Sequence, residues 1–292
     1  MICSICPREC RSVRDNEHGE GFCQMPESLF VSRAALHRWE EPCISGTRGS
    51  GTVFFSGCSL KCQYCQNFKI SQENYGKMIT EARLKEIFYE LIEKGAHNIN
   101  LVNPTHYSHI LSHVLNGSLP VPVVWNSSGY EKAETLRALE GKVDVYLPDM
   151  KYGNNILAKK YSNAPKYFET ARNAIMEMVR QTGPFQLDED GMIRRGVIIR
   201  HLILPGYIKN SKRVVDWVAE TFPPHTVMFS LMSQYTPCGN AERFPEIDRK
   251  LTAGEIDEVE EYVMNSSIED GYVQDRESAD ASFIPDFNFE GI

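Results

Sequence analysis

The chain has 292 residues, 42% of them hydrophobic and 24% charged, with 31 basic against 39 acidic side chains and a formal net charge of -8. This composition is ordinary for a globular protein and excludes disorder of the whole chain. The acidic excess is local: residues 267–292 hold seven acidic residues and one basic residue, so they carry -6 and the rest of the chain carries -2. A nearly neutral body lacks the basic surface that neutralises phosphates, so we expect no nucleic-acid partner.

The sequence contains no candidate membrane span or secretory signal. A span needs about 20 apolar residues, whereas the best run, Val197–Leu204, is interrupted by Arg200 and His201. The first residues, MICSICPREC, lack a basic region followed by an apolar one. We therefore expect a cytoplasmic protein without membrane contact.

Seven of the nine cysteines fall within the first 65 residues in two tight groups, a pattern more typical of metal ligation than of disulfides. The first group has the spacing C-x2-C-x3-C-x12-C and consists of Cys3, Cys6, Cys10 and Cys23. Gly19 and Gly21 would let the chain turn back toward the first three thiols. We predict one shared metal site, and the spacing leaves open whether it holds zinc or a second iron-sulfur cluster. The alternative is bystander thiols, which is also our expectation for Cys43 and Cys238.

The second group lies in GCSLKCQYCQN, directly after the apolar segment Gly51–Ser56, and consists of Cys58, Cys62 and Cys65. Four thiolates normally close a 4Fe-4S cluster, so three leave one iron without a protein ligand. A zinc site would usually recruit a fourth protein ligand. We therefore predict a 4Fe-4S cluster on a loop at the end of a strand, with an open iron that can bind a small molecule and pass it an electron.

This C-x3-C-x2-C motif, with the aromatic Tyr64 before its last cysteine, resembles the radical SAM superfamily. The continuation Cys65-Gln66-Asn67 is similar to the activating enzymes of pyruvate formate-lyase and related glycyl radical enzymes. The resemblance runs from about Cys3 to about Tyr262. It implies that the open iron binds S-adenosylmethionine, that one electron then cleaves the sulfonium, and that a 5'-deoxyadenosyl radical abstracts hydrogen. The activases that carry two extra clusters hold them in an insert after the motif, and this chain has no such insert.

After the cluster loop, the chain alternates helix-period and strand-like segments, which predicts repeated strand-helix units and a mainly parallel sheet. The predicted strands are Thr52–Ser56, Asn98–Val102, Val121–Trp125, Val143–Leu147, Val197–Leu204 and Val227–Leu231. The predicted helices are one that Thr80 caps and Gly95 ends, then His106–Leu115, Glu131–Leu139, Tyr167–Gln181, Lys212–Glu220 and Ala253–Met264. Asp188–Gly191 is predicted to turn between two short extra strands. Six parallel strands are two short of a closed eight-stranded barrel. The resemblance likewise implies an α/β fold with a partial (β/α)6 barrel, open on one side to a protein substrate.

Ligands of such sheets bind where the strands run into their following loops. On the resemblance, the residues at these junctions that serve S-adenosylmethionine, together with two from the cluster loop, are Tyr64, Asn67, Asn103, Thr105, Asn126, Ser128, Asp149, Lys151, Arg200 and Leu202. The resemblance implies that Lys151 contacts the methionine carboxylate of S-adenosylmethionine. It also implies that Asn126 and Ser128 contact the ribose and that Leu202 lies beside the adenine.

Several of these assignments have plainer alternatives. Asn103 and Thr105 stand where the family usually has a Gly-Gly-Glu that receives the amino group, and their side-chain oxygens remain acceptors. Residues 126–129 are also typical of a simple turn. Arg200 is also explained as a member of a structural ion pair, because an arginine inside an apolar strand needs a partner wherever it lies.

The predicted domains are a cysteine-rich N-terminal module with residues 1–48, the partial barrel with residues 49–266, and an acidic stretch with residues 267–292. That last stretch also holds Tyr272, Phe283, Phe287 and Phe289. A purely solvating segment would avoid such aromatics, so we expect it to dock on the barrel or on a partner.

The resulting functional prediction is a radical SAM oxidoreductase that takes hydrogen from a protein substrate, which in the activase case is a glycyl radical enzyme, and that needs a reducing electron donor. The alternative within enzymes is modification of another peptide or of a small molecule, assisted by an auxiliary cluster on the N-terminal cysteines. A remote alternative is a scaffold protein in which all seven clustered cysteines hold zinc, although seven ligands fit two closed sites poorly.

Overall fold

The computed structural model describes residues 2–274 and 285–292. Within them the strands are β1 (Leu29–His37), β2 (Ser50–Phe55), β3 (Lys77–Ile79), β4 (Ile99–Val102), β5 (Val123–Ser127), β6 (Val145–Pro148), β7 (Gln186–Leu187), β8 (Ile193–Leu202), β9 (Met228–Met232) and β10 (Gly271–Val273). The helices are α1 (Pro42–Ser45), α2 (Phe68–Ser71), α3 (Glu81–Glu93), α4 (Ser108–Val114), α5 (Ala133–Arg137), α6 (Asn155–Ser162), α7 (Tyr167–Thr182), α8 (Ile208–Thr221) and α9 (Ala253–Met264). Two 3-10 turns lie at Thr105–Tyr107 and Ala241–Arg243.

These strands form one sheet in the order β10-β9-β8-β6-β5-β4-β2-β1-β3, with β7 paired to β8 off this path. The run from β2 through β4, β5, β6, β8 and β9 is parallel throughout. Between its members the chain passes through helices, as parallel crossovers require. The described strands at the two ends of the order, β3 and β10, do not pair with each other. The sheet is therefore an open, partial barrel, and the predicted α/β class is confirmed.

The six predicted strands correspond to β2, β4, β5, β6, β8 and β9, and the predicted turn before β8 joins it to β7. In β2, β4 and β5 every residue is buried, as expected for parallel strands that are covered on both faces. Helix α3 begins at the predicted cap, where the Thr80 side chain accepts from Arg83 N, and it buries Leu84, Ile87, Phe88 and Leu91 against the core.

Two parts of the sheet were not predicted. Strand β1 pairs antiparallel with β2, and its register shifts between Val31 and Arg33. It therefore belongs to the main sheet, although the predicted N-terminal module extended to residue 48. Strand β10 pairs in parallel with β9 and lies inside the stretch that was predicted to be a separate acidic segment. The register shift breaks the alternation in β1, and β10 is too short to show a period.

Residues 285–292 pack along β1: Phe289 N donates to Ser32 O at 3.1 Å, and Ala34 N donates to Glu290 O at 2.8 Å. Phe283, one of the aromatics in the docking prediction, lies outside the described residues. Among the residues that the structure describes, no helix has the length and apolarity that a membrane crossing needs.

Candidate functional site

A cavity of about 280 Å³ opens at the carboxyl ends of the parallel strands. Its volume is near the lower end of the range for small-molecule sites, roughly 300 to 1,000 Å³. Strands from across the sheet contribute to it, which shows that the sheet curves around this space. The lining residues are His37, Trp39, Glu40, Phe54, Cys58, Leu60, Cys62, Tyr64, Cys65, Gln66, Asn67, Ile70, Ser71, Val102, Asn103, Asn126, Ser127, Ser128, Asp149, Lys151, Arg200, Leu202, Met232, Gln234 and Pro285.

The three cysteines of the second group all line this cavity, on the loop that leaves β2. Each sulfur has a hydrogen-bond donor: Leu60 N lies 3.3 Å from Cys58 Sγ, Ser71 Oγ lies 3.2 Å from Cys65 Sγ, and Ser162 Oγ lies 2.9 Å from Cys62 Sγ. Donors to sulfur stabilise thiolates and tune the reduction potential of a bound cluster. The donor set therefore fits a cluster on these three thiols.

Without a metal, the thiols of Cys62 and Cys65 are disposed to stay protonated, because their pKa values are raised. Burial, together with smaller contributions from the neighbouring Cys62 and Cys58, raises the pKa of Cys65 to about 12 against the hydrogen bond from Ser71. Burial also raises the pKa of Cys62, which Lys151 and Ser162 partly offset. Metal ligands must be deprotonated, so cluster assembly here releases protons.

Beside the thiols, Arg200 holds together the polar floor of the cavity. Its guanidinium donates to Asp149 Oδ1 at 2.9 Å, to Glu40 Oε2 at 2.9 Å and to Asn126 Oδ1 at 2.7 Å. Lys151 Nζ donates to the second Asp149 oxygen at 2.6 Å. Burial alone would raise the pKa of Asp149, but Arg200 and Lys151 together lower it, so this carboxylate stays charged. Arg200 therefore forms buried ion pairs and also lines the cavity, so the two alternatives for this residue do not exclude each other.

Glu40 and Glu41 are site residues that the sequence reasoning missed. Glu40 lines the cavity and accepts from Asn100 Nδ2 at 3.2 Å as well as from Arg200. Glu41 is 2% exposed, and burial raises its pKa although Arg200 at 3.9 Å opposes that effect. The one signal was Arg200 itself, because an arginine in an apolar strand demands a partner.

Nine of the ten residues predicted to serve S-adenosylmethionine line the cavity, and the exception is Thr105. Thr105 is 1% exposed, and its hydroxyl donates to Glu131 Oε1 at 2.9 Å, an oxygen that also accepts from Trp125 Nε1 at 2.9 Å. The structure thus places Thr105 in a buried network behind the sheet edge. Asn103 does face the cavity, with a left-handed φ of 58° and a hydrogen bond to Gly57 O.

The four N-terminal cysteines come together in a stretch with little regular structure, which two isolated bridges, Ile2 with Val13 and Arg14 with Gly19, hold in place. Burial, together with smaller contributions from its three partner thiols, raises the pKa of Cys6 to about 12. Phe22 N lies 3.3 Å from Cys10 Sγ, and Arg14 Nη1 lies 3.8 Å from Cys3 Sγ. The backbone N–H groups of Arg8 and Met25 donate to the sulfurs of Cys6 and Cys23, and these hydrogen bonds partly offset the rise in the pKa of the two thiols.

Arg8 connects this N-terminal group to the cluster loop. Its guanidinium donates to Ser59 O at 2.7 Å in the cluster loop and to Ser162 O at 2.8 Å, whose hydroxyl donates to Cys62 Sγ. It also lies 3.8 Å from the centre of the Phe22 ring. The two cysteine groups are therefore joined by one cation.

Over residues 2–274 and 285–292, no group of three or more His, Cys, Asp or Glu side chains is arranged to hold a metal ion. The cubane prediction does not need such an arrangement, since its three thiolates bind three different irons. A tetrahedral zinc site does need four ligands around one point. The shared metal of the N-terminal cysteines therefore stays a prediction.

Residues 45–160 match the family model described as a 4Fe-4S single cluster domain. The matched region contains the three-thiol loop and the strands from β2 to β6. The fold and the site thus define an α/β protein with a 4Fe-4S domain, and the predicted cluster type is confirmed.

Over 265 residues, the chain is 33% identical to the uncharacterized protein MJ0674 of Methanocaldococcus jannaschii, covering 87% of this chain and 72% of that protein. The chain belongs to the same family as this archaeal protein.

Solved structures of SuiB from Streptococcus suis are also similar. The form bound to S-adenosylmethionine is 12% identical with a TM-score of 0.48, and the form bound to the precursor peptide SuiA is 13% identical with a TM-score of 0.48. Each covers 75% of this chain, and the chain spans about half the length of SuiB, 48% and 46% in the two cases.

Proposed function

We propose that the protein is a radical SAM enzyme that cleaves S-adenosylmethionine reductively and takes hydrogen from a peptide or protein substrate. One observation carries the proposal: three cluster cysteines, and not four, face the same cavity as the polar residues at the ends of β5, β6 and β8. A cavity next to an incompletely ligated cluster offers a place for a small molecule at the open iron.

When bound, the cluster and S-adenosylmethionine would supply the electron and the 5'-deoxyadenosyl radical, and the protein supplies position and exclusion of water. Cys58, Cys62 and Cys65 would hold the cluster. Lys151 donates to Asp149 in this structure, and its ammonium group would also donate to the methionine carboxylate when S-adenosylmethionine binds. Asn126 and Ser128 would meet the ribose, and Leu202 would pack on the adenine. Arg200 keeps this set in place by bonding Asp149, Glu40 and Asn126 at once.

For the acceptor, we favour a peptide segment over a small molecule, because a segment of the chain itself, residues 285–292, already packs at the cavity and contributes Pro285 to its lining. The activase hypothesis is the narrower form of this proposal: the substrate segment would then contain the glycine of a partner enzyme that loses hydrogen.

The test is anaerobic reconstitution with iron and sulfide, followed by reduction and quantification of 5'-deoxyadenosine from S-adenosylmethionine. We expect a brown protein that forms 5'-deoxyadenosine and whose reduced-cluster spectrum changes on addition of S-adenosylmethionine. A colourless protein that holds only zinc would instead support the scaffold alternative, and a fully loaded protein without cleavage or spectral change would refute the proposal.

The cavity assignment has its own variant. Lys151→Met should raise the KM for S-adenosylmethionine by about tenfold to a hundredfold, since a hydrogen bond between charged groups contributes about 1.5 to 3 kcal/mol. Lys159→Met removes an exposed lysine from α6 and should leave KM unchanged. Equal KM values for the two variants would remove Lys151 from the site.

A further inference from the structure

The groove that holds residues 285–292, which we name the docked segment, lies between β1 and the cavity. Strand β3 covers β1 only from Leu29 to Val31, and the docked segment continues that edge with its two backbone hydrogen bonds to Ser32 and Ala34. Gly291 has φ +76°, and a Cβ there would lie 2.0 Å from Ala34 O, so this close approach requires glycine. The docked segment is thus held on the uncovered part of β1 by two backbone hydrogen bonds, and it ends in a turn in which Ile292 N donates to Phe289 O at 3.3 Å.

Two aromatic side chains anchor the docked segment. Phe287 is 7% exposed and packs with Phe54, Ile70 and Val102, and its ring centre lies 5.6 Å from that of Phe54. Phe289 stacks on Tyr75 at 4.6 Å. Phe54, Ile70 and Val102 also line the cavity, so the pocket for Phe287 and the candidate site share a wall.

Charge around the groove complements the segment. Arg33 bonds Glu290 at 2.7 Å, Lys69 donates to Phe287 O at 3.4 Å, and Lys77 lies 4.5 Å from the Phe289 ring centre. Arg83 donates to Gly291 O at 3.4 Å and also forms an ion pair with Glu90. The groove therefore combines a free strand edge, one apolar pocket, one stacking platform and several cations.

We propose that this groove is the docking site for a short acidic peptide segment of the substrate, with a buried aromatic anchor, and that residues 285–292 fill it in cis until such a segment displaces them. The inference rests on the proposed function for the claim that the docked peptide meets the radical. The hold on the resident segment is modest: the Arg33–Glu290 pair is partly exposed, with 21% and 53% of the two side chains accessible, and such pairs contribute little. Tethering still gives it an effective concentration in the millimolar range, so a free peptide competes poorly with the intact chain.

The experiment measures the binding of a fluorescein-labelled peptide, PDFNFEGI, by anisotropy. The receptors are the native chain, full-length Phe287→Ala, a shortened chain that ends at Ile284, and the control Met264→Ala, which changes a side chain that is 77% exposed. A second labelled peptide, PDANFEGI, lacks only the buried anchor that corresponds to Phe287.

We expect Phe287→Ala and the shortened chain to bind PDFNFEGI at least tenfold more tightly than the native chain and Met264→Ala do. They should also prefer it at least tenfold to PDANFEGI, because burial of a phenylalanine side chain is worth that factor. Equal affinity for both peptides, or equal affinity of native and Phe287→Ala chains, would overturn the proposal. Full-length Phe287→Ala keeps the test valid if the shortened chain does not fold.

Size-exclusion chromatography tests whether the docked segment occupies the groove of its own chain. A native monomer supports it, whereas a dimer that dissociates in the shortened chain would show that the segment fills the groove of a second copy and would overturn the cis arrangement. Formation of 5'-deoxyadenosine by the same preparations separates the two claims: peptide binding without cleavage contradicts the proposed function alone, and cleavage without peptide binding contradicts the groove alone.

Discussion

The two cysteine groups of this protein use the same side chain in opposite settings. The N-terminal four lie in a stretch with two isolated bridges and no named strand or helix, and Cys10 is exposed. The cluster three lie at the end of β2, facing a cavity, where Cys58 and Cys62 are 8% and 6% exposed. Four thiols gathered on one stretch can close a site, whereas three thiols on a cavity wall leave it open.

The difference shows that position in the fold, and not the cysteine alone, decides whether a thiol faces a cavity. The cluster loop is at the carboxyl edge of a parallel sheet, where other strands bring Arg200 and Lys151 beside it. Beside the N-terminal group the cations are instead Arg14, near Cys3, and Arg8, which links the group to the cluster loop. The following experiments test this contrast.

The largest effect is expected from the triple substitution Cys58→Ala/Cys62→Ala/Cys65→Ala. It should remove about four irons per chain and lower 5'-deoxyadenosine formation at least about a thousandfold, because no ligand remains for the reactive cluster. Iron and sulfide analysis with product quantification checks this. Cys238→Ala, at a half-buried cysteine outside the cavity lining, should behave as the native chain does. An unchanged iron content in the triple variant would show that other residues bind the cluster.

Arg200→Met should be the most destabilising change that spares the cysteines. It leaves Asp149 and Glu40 buried without their shared cation, at a cost of about 3 to 5 kcal/mol in the free energy of unfolding. Calorimetry should show a Tm that is roughly 6 to 15 °C lower. Arg194→Met breaks a pair with Asp188 whose side chains are 50% and 33% exposed, so its cost should stay below about 1 kcal/mol. Similar Tm values for both variants would contradict the buried network.

Cys6→Ser/Cys23→Ser should release one N-terminal metal and lower Tm by roughly 5 °C, while the four cluster irons remain. The released metal decides between the open alternatives: loss of zinc indicates a structural site, and loss of further iron indicates an auxiliary cluster. Cys238→Ser provides the matched comparison. If metal content stays the same, the N-terminal cysteines are free thiols and the contrast between the two groups disappears.

Arg8→Gln tests whether the two groups are coupled. It removes hydrogen bonds to Ser59 O and Ser162 O, which lie on either side of the cluster thiols, at a cost of about 1 to 2 kcal/mol. Iron release to a chelator should become about tenfold faster. Arg11→Gln, an exposed arginine of the same stretch, should release iron at the native rate. Identical rates for the two variants would show that Arg8 does not support the cluster loop.

The smallest effect is a pH dependence at His106, which lies between the two regions: its Nε2 is 2.7 Å from Ser56 O, and its backbone carbonyl accepts from Arg14 at 2.8 Å. Burial, aided by Arg14, lowers the pKa of His106 from 6.5 to about 3. Below pH 6.5 the unfolded chain therefore gains a proton that the folded ring refuses, so stability falls as the pH falls from about 6.5 toward 3.

Between pH 7 and pH 5.5, His106 should account for about 1 kcal/mol of this loss. The measurement is the Tm of native and His106→Asn chains across that range, and the variant should lose less stability than the native chain. His18→Asn, whose side chain is 79% exposed, should follow the native curve. Parallel curves for His106→Asn and the native chain would show that this histidine does not titrate as its burial requires.

Local patterns explain why much of the fold was predictable. Parallel strands buried on both faces appear as short apolar runs, and all six were found within a few residues of their ends. The capping residue Thr80 placed the start of α3 for the same reason, since a cap acts only on its own first turn. The cluster loop was predictable because its three ligands follow one another within eight residues.

The sequence by itself determined the α/β class, the three-thiol loop and the polar residues that follow the strands, because each of these depends on neighbours within about ten residues. Only the tertiary structure decided which of them meet. Glu40 is 160 residues from Arg200, Arg8 is 154 residues from Ser162, and Arg33 is 257 residues from Glu290. It also turned Thr105 away from the cavity toward Glu131. Such pairs leave no period or spacing in a chain, since they are selected by the burial and charge of surfaces that exist only once the sheet has curved around them.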